Sequence, residues 1–246
     1  MKEKLENRGL SVFKVSLTAA LCIFGLLSMI YVALTNNELF SYFYCLATVP
    51  FVALPLVTSA IFRWRMNSIF YILFSLYTMG PLLGAVYNLY YYTNWWDVLL
   101  HLLAGTMFAA VGAQLADVMN KNGKNSYLFA AVFGVLLSIT IAVLWEVFEY
   151  SSDVFLGSDM QDDTVIDIIN TKINRTDGIT DTYGNITETT VNGVSLGIKG
   201  YLDIGLIDTM HDMIIETVGA FMFLFYVLID RNRHPMIVNL KKEKNK

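Results

Sequence analysis

Six blocks of apolar residues, each long enough to cross a membrane, divide the chain, and the last three carry acid at one end. Continuous hydropathy predicts spans at roughly 13–34, 39–61, 68–90, 96–117, 127–149 and 209–229. Asp97 and His101 open the fourth span and Glu146 and Glu149 close the fifth. Asp208, His211, Asp212 and Glu216 open the sixth, and no Lys or Arg lies within these three spans. Ionisable side chains at membrane depth are costly and mark functional sites.

Read every fourth residue, the spacing of one helix face, the three spans share a layout. The stripes are Asp97, His101, Gly105, Ala109, Ala113 in the fourth span and Glu146, Ala142, Ser138, Gly134 in the fifth. In the sixth the stripe is Asp208, Asp212, Glu216, Ala220, with His211 and Gly219 beside it. Small residues let membrane helices approach closely. Acid above small residues, three times over, predicts that these faces meet and that their polar groups converge in one pocket.

The chain is 55% hydrophobic and 15% charged, far from the roughly 25% charged of a soluble domain. The fold class predicted is all-α, a six-span bundle forming one integral membrane domain over 1–246, with a partly β loop at 151–207. The apolar stretch Val15–Ala33 is longer than a signal-peptide core, so the first span is expected to be retained. Fourteen of the seventeen bases fall on one side if the N-terminus is inside: Lys2, Lys4, Arg8, Lys14, Arg63, Arg65, Lys121, Lys124, Arg231, Arg233, Lys241, Lys242, Lys244 and Lys246. Basic residues mark the cytoplasmic side, which predicts both termini in the cytoplasm and the acidic motifs at the outer face. The net charge of −4 averages a basic inside and an acidic outside and gives no reason to expect a nucleic-acid partner. Cys22 and Cys45 lie in the first two spans without ligand spacing and read as packing residues.

The first three spans read as scaffold. Pro50 and Pro55 predict a kink or broken turn in the second. The aromatic run from Tyr87 to Trp96 is most simply an interfacial belt, with a stacking platform for a substrate as the alternative. The 151–207 loop holds nine acids against three bases, a net −6. Its stretch Asp162–Ile169 predicts a short capped helix. The pairs Asp177–Gly178, Gly184–Asn185 and Asn192–Gly193 predict one or two hairpins. Such a loop reads either as a lid over the acids or as a solvated decoration.

Residue by residue, Asp97 and Asp208 begin spans, where a helix cap and a ligand are both consistent. Glu146 follows an unbroken apolar run, and a helix C-terminus repels anions, so a purely structural role is hard to write for it. Glu149 points either into the site or to headgroup water. His101 lies one turn from Asp97 and His211 lies next to Asp212, whereas His234 sits in the basic tail. So many acids need bound cations, retained protons or a water-filled vestibule, because desolvating each ionised one costs several kcal/mol. Carboxylates with imidazole suit divalent Zn, Mn or Fe, or Mg with more oxygen ligands.

Three motifs then carry a resemblance: Trp96-Asp97-Val-Leu-Leu-His101-Leu-Leu-Ala-Gly105, Trp145-Glu146-Val-Phe-Glu149, and Asp208-Thr-Met-His211-Asp212-Met-Ile-Ile-Glu216-Thr-Val-Gly219-Ala220. Together they resemble the YjdF-like family of uncharacterised bacterial inner-membrane proteins. More distantly they are similar to the VanZ-like proteins tied to teicoplanin resistance. Those share an Asp-x-x-x-His on one helix, a Glu late on the next and Asp-x-x-x-Asn-x-x-Gly on the last. By resemblance Asp97, His101, Glu146, Glu149, Asp208 and Asp212 are signature positions, and Glu216 departs where the pattern has Asn. The resemblance implies a bacterial cytoplasmic membrane protein and brings no established activity with it.

The leading expectation is a metal-dependent hydrolase or transferase acting at the outer face on a lipid-linked or envelope substrate among the membrane lipids. His101, Glu146, Asp208 and Asp212 would hold the metal, with Glu149 or Asp97 as general base and His211 and Glu216 as additional candidates. A proton- or cation-coupled transporter and a non-enzymatic envelope-binding or immunity protein are the alternatives.

Overall fold

The computed structural model describes residues 10–35, 39–62, 64–120, 126–173, 177–230 and 237–239. Six helices among them are long and apolar enough to cross a membrane. They are α1 (Val12–Thr35), α2 (Leu39–Phe62), α3 (Ser68–Ala85), α5 (Trp96–Met119), α6 (Tyr127–Leu156) and α7 (Leu206–Ile229), with a one-turn α4 (Leu89–Tyr92) between α3 and α5. The described residues fall into two compact units, Met1–Ala142 with Ile215–Lys246, and Val143–Ile214.

In the first unit α1 packs on α2, α2 on α3 and α3 on α5. One core cluster gathers Phe70, Tyr71, Met107, Ala109, Ala110, Val135, Ala220 and Phe223, and a second gathers Val32, Cys45, Val52, Met79, Leu82 and Val86. Cys45 is fully buried there, as expected of a packing residue. α2 continues as one helix through Pro50 and Pro55, where the sequence suggests a kink or a broken turn. The strand β1 (Trp64–Met66) pairs antiparallel with the tail strand, β8 in chain order (Ile237–Asn239).

The small-residue stripes behave as their spacing predicts. A Cβ on Gly105 would overlap the carbonyl oxygen of Glu216, one on Gly134 that of Ala109, and one on Gly219 that of Leu102. Hydroxyls tie the same seams: Ser138 Oγ donates to Gly105 O at 3.0 Å and Thr106 Oγ1 to Gly219 O at 3.1 Å. In lipid, where water offers no competing partner, close backbone approach and such bonds are what hold helices together.

Two boundaries move. α3 stops at Ala85 rather than near 90, because Asn88 adopts a left-handed φ of 60° that ends the run. Part of the aromatic segment then packs inward instead of forming a belt: Tyr87 stacks on Phe24 and Tyr31, and Trp96 Nε1 donates to Gly80 O at 3.1 Å. Tyr91, Tyr92 and Trp95 remain exposed. α6 continues to Leu156, so Glu146 and Glu149 are not in its last turns and the argument from a repelling helix end does not apply to them.

Lys14, counted among the orienting bases, is buried, with Nζ donating to Met66 O and lying 5.4 Å from the Tyr71 ring centroid. Most of the other orienting bases, Lys2, Lys4, Arg8, Arg63, Lys121, Lys124, Arg231, Arg233, Lys241, Lys242, Lys244 and Lys246, lie outside the described residues, as do Arg175 and His234.

The second unit is the end of α6, the start of α7 and the loop joining them. Its strands are β2 (Thr164–Ile166), β3 (Ile169–Thr171), β4 (Asp181–Tyr183), β5 (Thr190–Val191), β6 (Val194–Ser195) and β7 (Tyr201–Asp203). They pair antiparallel as β2–β7, β3–β4 and β5–β6. The helix expected at 162–169 is therefore two strands. Its run of Thr164, Val165, Ile166, Ile168 and Ile169 is β-branched and fits a pleated surface better than a helical turn. The Asn192–Gly193 hairpin forms as read: both residues have positive φ, 53° and 80°, the requirement of a two-residue turn that matches strand twist.

Candidate functional site

The first unit holds Asp97, His101 and Glu216. Asp97 lies in the first turn of α5, with Trp95 rather than Asp97 at the cap position. One turn on, His101 Nε2 stands 3.6 Å from Asp97 Oδ1, and His101 Nδ1 stands 3.9 Å from Glu216 Oε2 on α7. Glu216 is 3% exposed, and its Oε1 has no hydrogen-bond partner among the described residues. Gly105, one turn beyond His101, is what allows the Glu216 backbone to close on α5.

The second unit holds Glu146, Glu149 and Asp212, at 5%, 7% and 5% exposure. One carboxylate oxygen from each lies within 4.8 Å of the others. Glu146 and Glu149 are three residues apart, so both project from one face of α6. The only bases of this unit are the loop residues Lys172, Arg175 and Lys199.

Asp208 and His211 are placed differently. Asp208, half-buried in the first turn of α7, accepts from the backbone N–H of Asp162 at 2.9 Å. It ties the loop down. His211 is exposed and joins neither cluster.

One residue escaped the sequence reading. Asp153, seven residues beyond Glu146 and by hydropathy past the end of the fifth span, lies on α6 and accepts from Ser158 Oγ at 2.7 Å, Met160 N at 2.7 Å and Gln161 N at 3.0 Å. Gln161 in turn bonds Thr209, and Asp203 Oδ2 accepts from Ile207 N at 2.8 Å. These bonds and the β2–β7 pair form a collar at the loop's base. The signal for it was Gly157, whose φ of 65° marks the αL stop of a helix that had to reach Leu156. Nearby, burial first and then the charges of Asp159, Asp203 and Asp153 raise the Asp163 carboxyl above its ordinary 3.8.

A family model described as a predicted membrane protein family, DUF2238, matches residues 17–233. The chain belongs to that family. The match covers all six apolar helices except the first residues of α1, and both polar clusters lie inside it. No curated protein and no solved structure matches the chain. Membership of DUF2238 therefore establishes a multi-pass membrane protein and leaves its chemistry to the geometry.

Proposed function

We propose that this DUF2238 protein is a cation-dependent hydrolase or transferase of the bacterial cytoplasmic membrane, working at the outer face on a lipid-linked or envelope substrate. The observation that carries it is the triad Glu146, Glu149 and Asp212: three buried carboxylates with oxygens within 4.8 Å of one another. Ionised and dry, each costs several kcal/mol, and their mutual repulsion adds to that. A divalent cation offsets both terms, and an all-oxygen donor set suits Mg or Mn.

In this reading Glu146 and Asp212 hold the cation and Glu149 shares it or serves as general base. Asp208, expected as a ligand, gives that place to Glu149 and positions the loop instead. When bound, the cation would lower the pKa of a coordinated water or polarise a substrate oxygen. With no basic side chain in the spans that carry the acids, a phosphorylated substrate would meet its positive partner in that metal.

The outer-face assignment rests on the distribution of basic residues, with both termini inside. The resemblance to YjdF-like and VanZ-like envelope proteins agrees with it. Transport is the weaker reading, because the inner halves of the acid-bearing helices are plain Gly, Ala, Ser and aliphatic residues.

The test is a divalent-cation titration of chelator-treated, full-length protein followed by thermal denaturation. Mg(II), which suits the all-oxygen triad, is expected to raise the Tm of the wild type and to leave Glu146→Gln unmoved, since only a ligand that binds the native state stabilises it. An equal response in both proteins overturns the triad as the site.

A further inference from the structure

His101 lies between two carboxylates that approach opposite nitrogens of its ring, Asp97 at Nε2 and Glu216 at Nδ1. We infer that His101 and Glu216 form a metal site of mixed nitrogen and oxygen donors, with the Asp97 carboxylate, 3.6 Å from Nε2, acting on the imidazole by its charge rather than by a hydrogen bond and so orienting it. The inference is argued from residues of the first unit.

Three features of the geometry support it. The 3.9 Å between Nδ1 and Glu216 Oε2 is too long for an N–H···O hydrogen bond, which spans about 2.7–3.2 Å. Two bonds of about 2.1 Å meeting at a tetrahedral angle hold their donors about 3.4 Å apart, so a closure of about 0.5 Å brings this pair onto one ion. Glu216 Oε1 is buried without a hydrogen-bond partner among the described residues, on a side chain only 4% exposed. A desolvated acceptor left in that state is costly, and a cation held by the same carboxylate satisfies it.

Exposure also falls inward along the series, from 34% at Asp97 to 9% at His101 and 4% at Glu216. That is the order of an outer carboxylate, an imidazole ligand and a dry inner ligand, in which the carboxylate sets which nitrogen faces the metal. Gly105 holds the spacing, because the Glu216 carbonyl occupies the place a Cβ would take. Nitrogen with oxygen donors favours Zn, Mn or Fe over Mg.

Pulsed EPR on chelator-stripped, full-length protein loaded with Mn(II) separates this site from the triad, since only a histidine ligand gives nitrogen coupling to the ion. The wild type is expected to show nitrogen-coupled Mn(II), and Glu146→Gln to keep it. His101→Gln and Glu216→Gln are expected to lose it. Asp97→Asn should retain the coupling while binding about 10–100-fold more weakly, the loss typical of an orienting carboxylate. Wild-type Mn(II) without nitrogen coupling overturns the proposal without needing any variant to fold. So does coupling that survives Glu216→Gln. Loss of only the uncoupled Mn(II) in Glu146→Gln reports on the triad separately.

Discussion

The scaffold helices α1–α3 and the acid-bearing helices α5–α7 both bury polar groups, but they satisfy them differently. In the scaffold the buried groups are mostly hydroxyls that close on their own helix or a neighbouring ring. Ser28 Oγ donates to Phe24 O, Thr48 Oγ1 to Tyr44 O and Ser75 Oγ to Tyr71 O, each across four residues, and Tyr87 OH meets Ser28. Such a group needs no external partner. The carboxylates of α6 and α7 cannot do this, because an ionised oxygen in a dry site needs a charge or a donor that the helix backbone lacks. Polarity that is satisfied locally is structural, whereas the converging carboxylates of Glu146, Glu149 and Asp212 are where the proposed cation would sit.

The sharpest structural probe of that contrast is a matched pair of glycines. Gly105→Ala should destabilise the fold by about 1–3 kcal/mol, because the new Cβ strikes backbone, which cannot rotate away. Gly25→Ala on α1 meets only ordinary contacts, 3.6 Å to Cys45 O and 3.7 Å to Thr48 Cγ2. It should be neutral or stabilise by up to about 1 kcal/mol. Thermal denaturation of the two variants side by side measures this, and equal shifts would remove the distinction between the helix sets.

A smaller effect is expected at the loop's base. Asp153→Ala strips the acceptors from Ser158, Met160 and Gln161 and should cost about 1–3 kcal/mol of local stability. Hydrogen exchange should rise at Met160 and Gln161 and stay unchanged in α1–α3. Smallest is the pH response of Asp163, whose folded carboxyl lies above its ordinary value. A raised folded pKa stabilises the collar below the unfolded value, and that contribution is lost as pH rises through the folded one. The loop should therefore tighten on acidification toward about pH 4, a trend that Asp163→Asn abolishes when followed by exchange at Asp162–Ile166.

How much of this was legible follows from how local each signal is. The six spans show in blocks of apolar residues, and the meeting of three faces shows in stripes of Gly, Ala and Ser at helical spacing. Gly105 and Gly134 now sit against backbone as that spacing requires. Asn192–Gly193 was readable because a two-residue turn constrains its own residues. The end of α6 was not, since hydropathy falls at Tyr150-Ser151-Ser152-Asp153 while the helix continues to Leu156. The β2–β7 pair joins Thr164 to Asp203, and the bond from Asp162 to Asp208 crosses the same loop. No local pattern encodes either. For that reason the bond from Asp162 to Asp208 was not foreseen, and Asp153 read as a loop residue. That Asp212 meets Glu146 was readable from face and spacing, whereas Glu149 read equally as a group facing headgroup water.

The most direct test is the metal content of full-length protein purified without chelator, measured for the wild type and Glu146→Gln in parallel. Stoichiometric divalent cation in the wild type, with the triad's share missing from the variant, is the result predicted here. Equal content in both proteins, or wild-type carboxylates at Glu146, Glu149 and Asp212 that titrate as a proton-sharing group and take up no cation, would contradict it.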